Sequence, residues 1–138
     1  AQIASELLYS QLTEIGFDEE SFPPETRPRL SAEDFIAGVG DVVLARRGMG
    51  TSYHLSVVVD DAAQGITLVS RGKDLFDTTW IHAILQKLLE LPIPRYHHHR
   101  LIRDDEGKRL AKRDDARAIA LYRREGTTPA DLRQMIGY

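Results

Sequence analysis

Residues 107–113, with the sequence GKRLAKR, form a basic stretch in which two Lys-Arg pairs flank Leu110 and Ala111. A turn-forming run, DDEG at residues 104–107, precedes this stretch, and a helix is predicted over residues 116–124 after it. A Lys ammonium is a mobile point charge that can follow a polyphosphate while the phosphate charge shifts. Flexible cations at a strand-to-helix junction therefore suit phosphate binding, although the same composition is also typical of a solvated surface loop.

Three consecutive histidines, His97, His98 and His99, raise the question of a metal site. In a strand, successive side chains point to opposite faces, so His97 and His99 share one face and His98 lies on the other. Since a metal ion needs converging ligands, the pattern predicts no metal site in this chain. The acidic pair Asp60 and Asp61 could serve acid–base or magnesium chemistry, but we interpret it as fixing a turn and capping a helix.

The composition indicates one globular domain, with 42% hydrophobic and 28% charged residues over 138 positions. No apolar run approaches 18 residues and no signal-peptide pattern opens the chain, so we expect a soluble protein without membrane contact. The absence of cysteine excludes disulfides and thiolate zinc sites, and agrees with a cytoplasmic location. Although the net charge is −3, Lys and Arg concentrate in residues 95–124, which allows a local basic face for phosphates.

Hydrophobic periodicity predicts a helix and then a linker at the start of the chain. Over residues 2–17, apolar side chains recur at helical spacing, at Ile3, Leu7, Leu8, Leu12 and Ile15. Several prolines break regular structure after this stripe, so residues 17–30 are predicted to be a linker. The sequence DVVLAR at 41–46 predicts a strand. YHLSVVV at 53–59 is also strand-like, although a short helix through residues 60–63 is nearly as plausible.

The second half of the sequence alternates between strand and helix signals. A buried strand is predicted over residues 66–70, and Thr78 or Thr79 can cap the helix that follows, because each hydroxyl can accept a bond from an unpaired amide. This helix ends before Pro92 and presents apolar side chains at Ile81, Ile84, Leu85 and Leu88. A strand over residues 96–102 then leads to the basic loop. The order strand, helix, strand, loop, helix predicts an α/β layer arrangement.

Three segments carry a family resemblance in a fixed order. Residues 52–75 read SYHLSVVVDDAAQGITLVSRGKDL, residues 77–89 read DTTWIHAILQKLL, and residues 91–113 read LPIPRYHHHRLIRDDEGKRLAKR. These resemble the V-V-D-D, Q-G-I-T and R-G-x-D-L motifs, the S-T helix, and the P-x-Y-x-H-x-P-L motif with its KMSKS-type loop, of class I glutamyl-tRNA synthetases. Within that family, the V-V-V-D-D and R-G-K-D-L forms and the short C-terminal helical piece are most similar to the glutamyl-queuosine tRNA(Asp) synthetase subfamily.

The resemblance implies a fold and an activity. Residues 1–39 would be an N-terminal helix and linker leading from an upstream segment. Residues 40–138 would be the C-terminal half of a Rossmann-like nucleotide-binding catalytic domain, with the KMSKS-type loop and C-terminal helices. The implied activity of the intact protein is the ATP-dependent activation of glutamate, with Mg²⁺ accompanying ATP, and transfer of glutamate to queuosine of tRNA(Asp). Glutamate, ATP and tRNA are the implied partners.

The resemblance also assigns site residues. Lys112 occupies the position of the KMSKS-type lysine that stabilises the reacting phosphates, and it is therefore the expected catalytic residue. An ATP-binding group is expected to comprise Lys112, Arg109, Lys108 and His98. Tyr53 and Arg71 match the tyrosine and arginine that recognise glutamate in the family, and a planar guanidinium suits a side-chain carboxylate because it can bind both oxygens.

Several features depart from the family pattern. The HIGH signature and the cysteine-containing zinc site are absent, so we expect the chain to be the C-terminal portion of a longer protein, with zinc confined to an upstream part. Residues 1–138 alone are expected not to activate glutamate, and to self-associate through an uncovered apolar face. Arg109 stands at the first lysine of the KMSKS-type loop, Ala111 at its serine, and Arg100 where proline is usual.

Two alternatives remain open from the sequence. An ordinary glutamyl-tRNA synthetase would esterify the 3′ end of the tRNA instead of queuosine. A non-catalytic nucleic-acid-binding module would keep the basic loop without the chemistry.

Overall fold

The computed structural model describes residues 14–48, 50–104, 106–108, 110 and 118–137, in two compact units that divide the chain after His99. In chain order, the first unit contains β1 (Glu14–Gly16), a 3-10 turn (Pro24–Thr26), β2 (Arg29–Ser31), α1 (Ala32–Gly38), β3 (Ala45–Arg46), β4 (Gly50–Thr51), α2 (Tyr53–Ala63), β5 (Leu68–Gly72), a second 3-10 turn (Lys73–Leu75), α3 (Phe76–Leu88) and β6 (Arg95–His99). The second unit contains α4 (Ile119–Arg124) and α5 (Pro129–Met135). The mixture of helices and strands confirms the predicted α/β class.

The central motif of the first unit is a β-α-β crossover. Strands β5 and β6 pair in parallel, and α3 connects them, as parallel neighbours require a crossover. The register places Arg71 opposite His98 and Val69 opposite Tyr96. The two other described pairs, β1 with β2 and β3 with β4, are antiparallel. The parallel register therefore brings two residues from distant parts of the sequence into one site.

The main hydrophobic core lies between α3, β6 and the segment that follows β1. Phe17 packs edge-to-face against Trp80 and Tyr96, with ring centroids 4.8 and 5.4 Å apart. Its other buried members are Ile15, Phe35, Ala83 and Ile84. Phe17 and Glu19 are both buried, so the prediction that residues 17–30 form a linker is wrong at its start. The predicted N-terminal helix is also wrong at its end, because Glu14–Gly16 is a strand; residues 1–13 lie outside the described part.

A second, smaller core joins α2 to α3. Leu44, Val58 and Leu85 are buried in it, and Leu55 packs against them. The strand predicted over residues 53–59 is therefore wrong, and the helical alternative is nearer to the structure. The β-branched valines favour a strand locally, but Leu55 and Val58 are three residues apart and face the same partner only in a helix. The strand predicted over 41–46 is reduced to Ala45–Arg46.

The boundaries of the remaining elements differ modestly from the predictions. The helix α3 begins at Phe76, so Thr78 and Thr79 lie inside its first turn and neither caps it. Its end before Pro92 is confirmed. Strand β5 is shifted by two residues toward Gly72, and β6 ends at His99 rather than at residue 102. None of the described helices is both long enough and apolar enough to cross a membrane.

The substitution Ile84→Ala is expected to destabilise the first unit. Ile84 is 1% exposed in the main core, and removing buried methyl groups of an isoleucine typically lowers the free energy of unfolding by about 2–5 kcal/mol. Leu89→Ala is the matched control, because Leu89 is 45% exposed and should change the free energy by less than about 1 kcal/mol. Urea unfolding followed by the fluorescence of Trp80, the one tryptophan of the chain, measures both variants. Equal losses in the two variants would contradict the assigned core.

Candidate functional site

The guanidinium of Arg71 is the centre of a polar cluster inside the first unit. Its Nε donates to Nε2 of His98 at 3.2 Å. One terminal nitrogen contacts Nδ1 of His82 at 3.1 Å, and the other donates to the hydroxyl of Thr79. The guanidinium carbon also lies 5.1 Å from the centre of the Tyr96 ring, within the range of a cation–π contact. Arg71 is therefore held by residues of both α3 and β6.

Helix α3 presents a row of polar side chains toward this cluster. Thr79, His82 and Gln86 are spaced three and four residues apart, so they share one face of the helix, and all three are buried. Gln86 accepts a hydrogen bond from the hydroxyl of Tyr96 at 3.3 Å. Buried polar groups need such partners, because an unpaired one would lose its bonds to water. This spacing of three polar residues within an otherwise apolar stretch of the helix is visible in the sequence and marks the face that meets Arg71.

Glu19 supplies a buried carboxylate behind His98. It is 3% exposed, its Oε1 accepts the main-chain N–H of His98 at 3.0 Å, and its Oε2 contacts Nδ1 of the same residue. The hydroxyl of Ser21 adds a bond at 3.1 Å. Burial by itself raises the pKa of Glu19, but the bonds from His98 and Ser21 outweigh it and keep that pKa below its usual value. Glu19 is therefore a carboxylate at neutral pH.

Two further histidines continue the cluster from Arg71 to Tyr53. Because Arg71 can only donate, Nδ1 of His82 must accept, which leaves the proton of a neutral His82 on Nε2. That nitrogen lies 3.3 Å from Nδ1 of His54. Burial, and then the charges of Arg71 and His54, lower the pKa of His82 to about 3. The ring of Tyr53 contacts the rings of both histidines, at 5.6 and 5.7 Å.

An open cleft borders the Tyr53 end of the cluster. Its volume is about 450 Å³, and its walls include Val42, Ser52, Tyr53, His54 and Ile81. Tyr53 is 57% exposed and forms part of the cleft wall, so its ring is accessible to a ligand. Arg71 is not a wall of this cleft. His82, which touches both Tyr53 and Arg71, connects the cleft with the buried cluster.

The structure brings together three of the predicted site residues. Tyr53 and Arg71 both contact His82, and His98 contacts Arg71 directly. Their predicted roles in binding glutamate and ATP stay predictions. Sequence reasoning missed Glu19, His54, Thr79 and His82.

The basic loop is only partly described. Lys112 and Arg109 lie outside the described residues. Lys108 belongs to the second unit, where its main-chain N–H donates to a side-chain oxygen of Asp104 at 2.7 Å. The carbonyl of Gly107 accepts from Arg103 at 2.8 Å in the same turn.

The histidine run alternates as predicted. Tyr96 and His98 are buried on one face of β6, whereas His97 and His99 lie on the other face. Among the described residues, no group of three His, Asp or Glu side chains could hold a metal ion. Asp60 and Asp61 lie in the last turn of α2. Their main-chain carbonyls accept from the amides of Gln64 and Ile66, both at 2.9 Å, and so close the turn that follows, but neither residue caps the start of a helix, which corrects that part of the prediction.

Protonation of His82 is expected to destabilise the fold. Its pKa is depressed in the folded state, so the unfolded chain takes up the proton first, and stability is lost as the pH falls below about 6.5. We expect this residue alone to lower the free energy of unfolding by about 2 kcal/mol between pH 7 and pH 5. His82→Gln should remove that part of the pH dependence, and His99→Gln, on the outer face of β6, should retain it. Urea unfolding at the two pH values gives the difference; an unchanged pH dependence in His82→Gln would contradict the burial of a neutral imidazole.

Comparison with known proteins identifies the family. Residues 29–137 match the family described as tRNA synthetases class I (E and Q), catalytic domain. The chain is similar to the glutamyl-Q tRNA(Asp) synthetase of Rhodobacter capsulatus, with 63% identity over 125 residues, which cover 91% of this chain and 45% of that protein. The protein of the same name from Xanthomonas axonopodis pv. citri is 48% identical over 105 residues, covering 76% of this chain and 33% of that protein. The chain thus spans less than half the length of these curated relatives.

Solved structures show the same fold. A glutamate tRNA ligase from Elizabethkingia meningosepticum, in complex with its amino acid, matches with a TM-score of 0.59 and 25% identity, over 73% of this chain and 19% of that chain. Glutamate-tRNA synthetase from Elizabethkingia anophelis matches with a TM-score of 0.58 and 22% identity, with the same coverage of 73% and 19%. The predicted class I synthetase catalytic fold is therefore confirmed.

Proposed function

We propose that this chain, which belongs to the catalytic-domain family of class I tRNA synthetases (E and Q), forms the glutamate-recognising part of a tRNA-modifying ligase. The full-length protein would activate glutamate with ATP and then transfer it to tRNA. The observation that carries this proposal is the anchored guanidinium of Arg71, which shares His82 as a neighbour with the accessible phenol of Tyr53.

The hydrogen bonds of Arg71 suit it to a substrate carboxylate. A guanidinium has five N–H donors, and three contacts with described residues engage one on each nitrogen. Among the contacts of the described residues, one N–H on each terminal nitrogen has no partner, and two is the number that a carboxylate accepts in a bidentate pair. His82 and His98 accept from Arg71 as neutral rings, so they hold the cation without cancelling its charge. The side-chain carboxylate of glutamate is the ligand that this arrangement favours.

Adenylate formation requires a second set of charges. The α-carboxylate of glutamate attacks the α-phosphate of ATP, the bond to pyrophosphate breaks, and pyrophosphate carries away the negative charge. Such a step needs positioning and charge stabilisation more than a protein nucleophile. We assign the stabilising charge to Lys112 by its place in the KMSKS-type loop, with Arg109 and Lys108 as further ATP-binding candidates. The predicted ATP contact is not assigned to His98, because both of its ring nitrogens are engaged within the protein, by Arg71 and Glu19. Mg²⁺ is expected to accompany ATP.

Activation is tested by ATP–pyrophosphate exchange with the full-length protein. We expect exchange that depends on glutamate and is much weaker with glutamine, whose amide would place a second donor against the donors of Arg71. Absence of glutamate-dependent exchange would reject this function, and absence of exchange with any amino acid would favour a non-catalytic module.

For the acceptor, we propose queuosine of tRNA(Asp), because relatives that are 63% and 48% identical to this chain are named glutamyl-Q tRNA(Asp) synthetase. The alternative is esterification of the tRNA 3′ end, which is favoured by the fold similarity to enzymes named for glutamate and tRNA. Charging tRNA(Asp) with labelled glutamate, followed by ribonuclease digestion, separates the two. Label in the anticodon fragment is the expected result, and label in the 3′-terminal fragment would support the alternative.

A further inference from the structure

We infer that Glu19 acts through His98 as a positioning residue for Arg71, so that a buried carboxylate, an imidazole and the guanidinium form one relay. This inference rests on the proposed function, since Arg71 is there the residue that binds glutamate. Glu19 precedes the segment 29–137 that matches the family. It enters the site because its backbone bridges to Tyr96 beside β6.

The contact with Arg71 assigns the ring proton of His98, and the hydroxyl of Thr79, 3.0 Å from Nε2 of that ring, can donate to the lone pair there. Nε2 of His98 receives the Nε–H of Arg71 at 3.2 Å, so this nitrogen must carry a lone pair. The ring is therefore neutral with its proton on Nδ1, and that proton points to Oε2 of Glu19. The order of donation runs from Arg71 to His98 and from His98 to Glu19. A carboxylate behind an imidazole sets the tautomer and the orientation of the ring in the same way at metal sites and in catalytic triads.

Glu19 holds His98 with both of its oxygens. Oε1 accepts the main-chain N–H of His98, and Oε2 accepts the ring N–H of the same residue. Oε1 also accepts the hydroxyl of Ser21 at 3.1 Å. The carboxylate is thus bonded to the strand and to the ring together, which fixes the ring relative to β6. Because Arg71 lies opposite His98 in the parallel register, the orientation passes to its guanidinium.

A glutamine at position 19 cannot reproduce this arrangement. Its amide has one oxygen and one NH₂ group, whereas His98 presents two N–H donors to the two positions. If the oxygen of this amide accepts the main-chain N–H of His98, the NH₂ group of the amide faces Nδ1 of the His98 ring. The ring proton must then move from Nδ1 to Nε2. Nε2–H then opposes the Nε–H of Arg71, and the guanidinium loses one anchor. If the amide flips, the NH₂ opposes the main-chain N–H of His98 instead.

The adjacent Glu20 provides a matched control. Its carboxylate contacts Arg95 at 3.2 Å and His97 at 3.7 Å, on the outer face of β6. These contacts are partly exposed, and ion pairs of this kind contribute little to stability. Glu20→Gln makes the same chemical change one residue away without touching the relay. Glu19→Asp is a second comparison, because it retains two acceptor oxygens on a shorter side chain.

The test combines ring nitrogen NMR with steady-state kinetics of the full-length protein. Histidine labelled with ¹⁵N reports which nitrogen carries the proton, and we expect Nδ1–H for wild-type His98 and for Glu20→Gln. In Glu19→Gln we expect the proton on Nε2 of His98. We also expect the glutamate KM to rise about 10- to 100-fold, the usual effect of removing a residue that orients a functional side chain through a hydrogen bond. The turnover number at saturating glutamate should fall much less. Glu19→Asp should keep Nδ1–H and show a smaller rise in KM.

Each other outcome is decisive. A wild-type ring protonated on Nε2 would overturn the relay, and this measurement does not depend on whether any variant folds. A changed tautomer in Glu19→Gln with an unchanged glutamate KM would overturn the positioning role while leaving the proposed function intact, provided that Arg71→Ala still raises that KM. No effect of Arg71→Ala on the glutamate KM would instead remove Arg71 from the glutamate site, whereas absence of glutamate-dependent exchange in the wild type would reject the proposed function itself.

Discussion

Replacing Lys112 with alanine in the full-length protein is expected to slow glutamate adenylation about 100- to 1000-fold. In adenylation, negative charge builds up on the α-phosphate and on the departing pyrophosphate, and a flexible ammonium can follow this charge. An interaction made mainly in the transition state lowers the turnover number more than it raises the KM for ATP. Single-turnover adenylation and steady-state kinetics together separate the two effects.

Lys108→Ala is the control for the same basic stretch. Lys108 lies in a turn whose main chain is fixed by Asp104, and it is farther from the position that matches the KMSKS-type lysine. Its replacement should reduce the turnover number far less than replacement of Lys112. Equal and small losses in both variants, confined to the affinity for ATP, would mean that the loop only attracts phosphate and would contradict the catalytic role of Lys112.

Replacing Arg71 with alanine is expected to weaken glutamate binding by about 2–5 kcal/mol, the usual range when one member of a buried charge pair is removed. The variant leaves the substrate carboxylate without its cation. It also removes the guanidinium that donates hydrogen bonds to His82 and His98. The KM for glutamate in ATP–pyrophosphate exchange measures the loss. Thermal unfolding of the variant distinguishes weakened binding from a loss of fold.

Two further substitutions serve as comparisons for the loss of glutamate affinity in Arg71→Ala. Tyr53→Phe removes one hydroxyl from the accessible ring and should weaken glutamate binding by about 0.5–1.5 kcal/mol, the net value of one hydrogen bond. Arg95→Ala removes an arginine from the outer face of β6, where it pairs with Glu20, and should leave glutamate binding unchanged. A loss in Arg95→Ala as large as that in Arg71→Ala would indicate a general charge effect instead of a specific contact.

The β-α-β part of the fold can be predicted from the sequence, because each of its elements is marked by residues within that element or next to it. The apolar spacing of α3 and the proline after it mark one amphipathic helix, and β-rich runs lie on both sides. The alternation within the histidine run also follows directly from strand geometry. The helix α2 is harder to predict, since its valines favour a strand until Leu55 and Val58 are packed against α3.

The candidate site is only half predictable for a different reason. Tyr53, Arg71 and His98 occur in motifs, so they are visible in one sequence. Glu19 reaches His98 across 79 residues of chain, and nothing near Glu19 in the sequence marks it as part of a site. His82 resembles an isolated polar residue on an apolar helix until Thr79 and Gln86 are seen at the same helical face. The spacing of these three residues can be read from the sequence, whereas the contact of Glu19 with His98 depends on the pairing of Glu19 beside β6, which a single sequence does not specify.

The most direct test of the central claim is the choice between glutamate and glutamine. These two amino acids differ only in whether the side chain ends in a carboxylate or an amide, so their binding compares charge recognition at nearly constant shape. Calorimetric titration of the full-length protein, and of Arg71→Ala, with each amino acid gives the preference directly. We predict strong preference for glutamate in the wild type and loss of most of that preference in Arg71→Ala. A variant that binds glutamate less tightly but discriminates as well as the wild type would contradict the assignment of Arg71 to the substrate carboxylate.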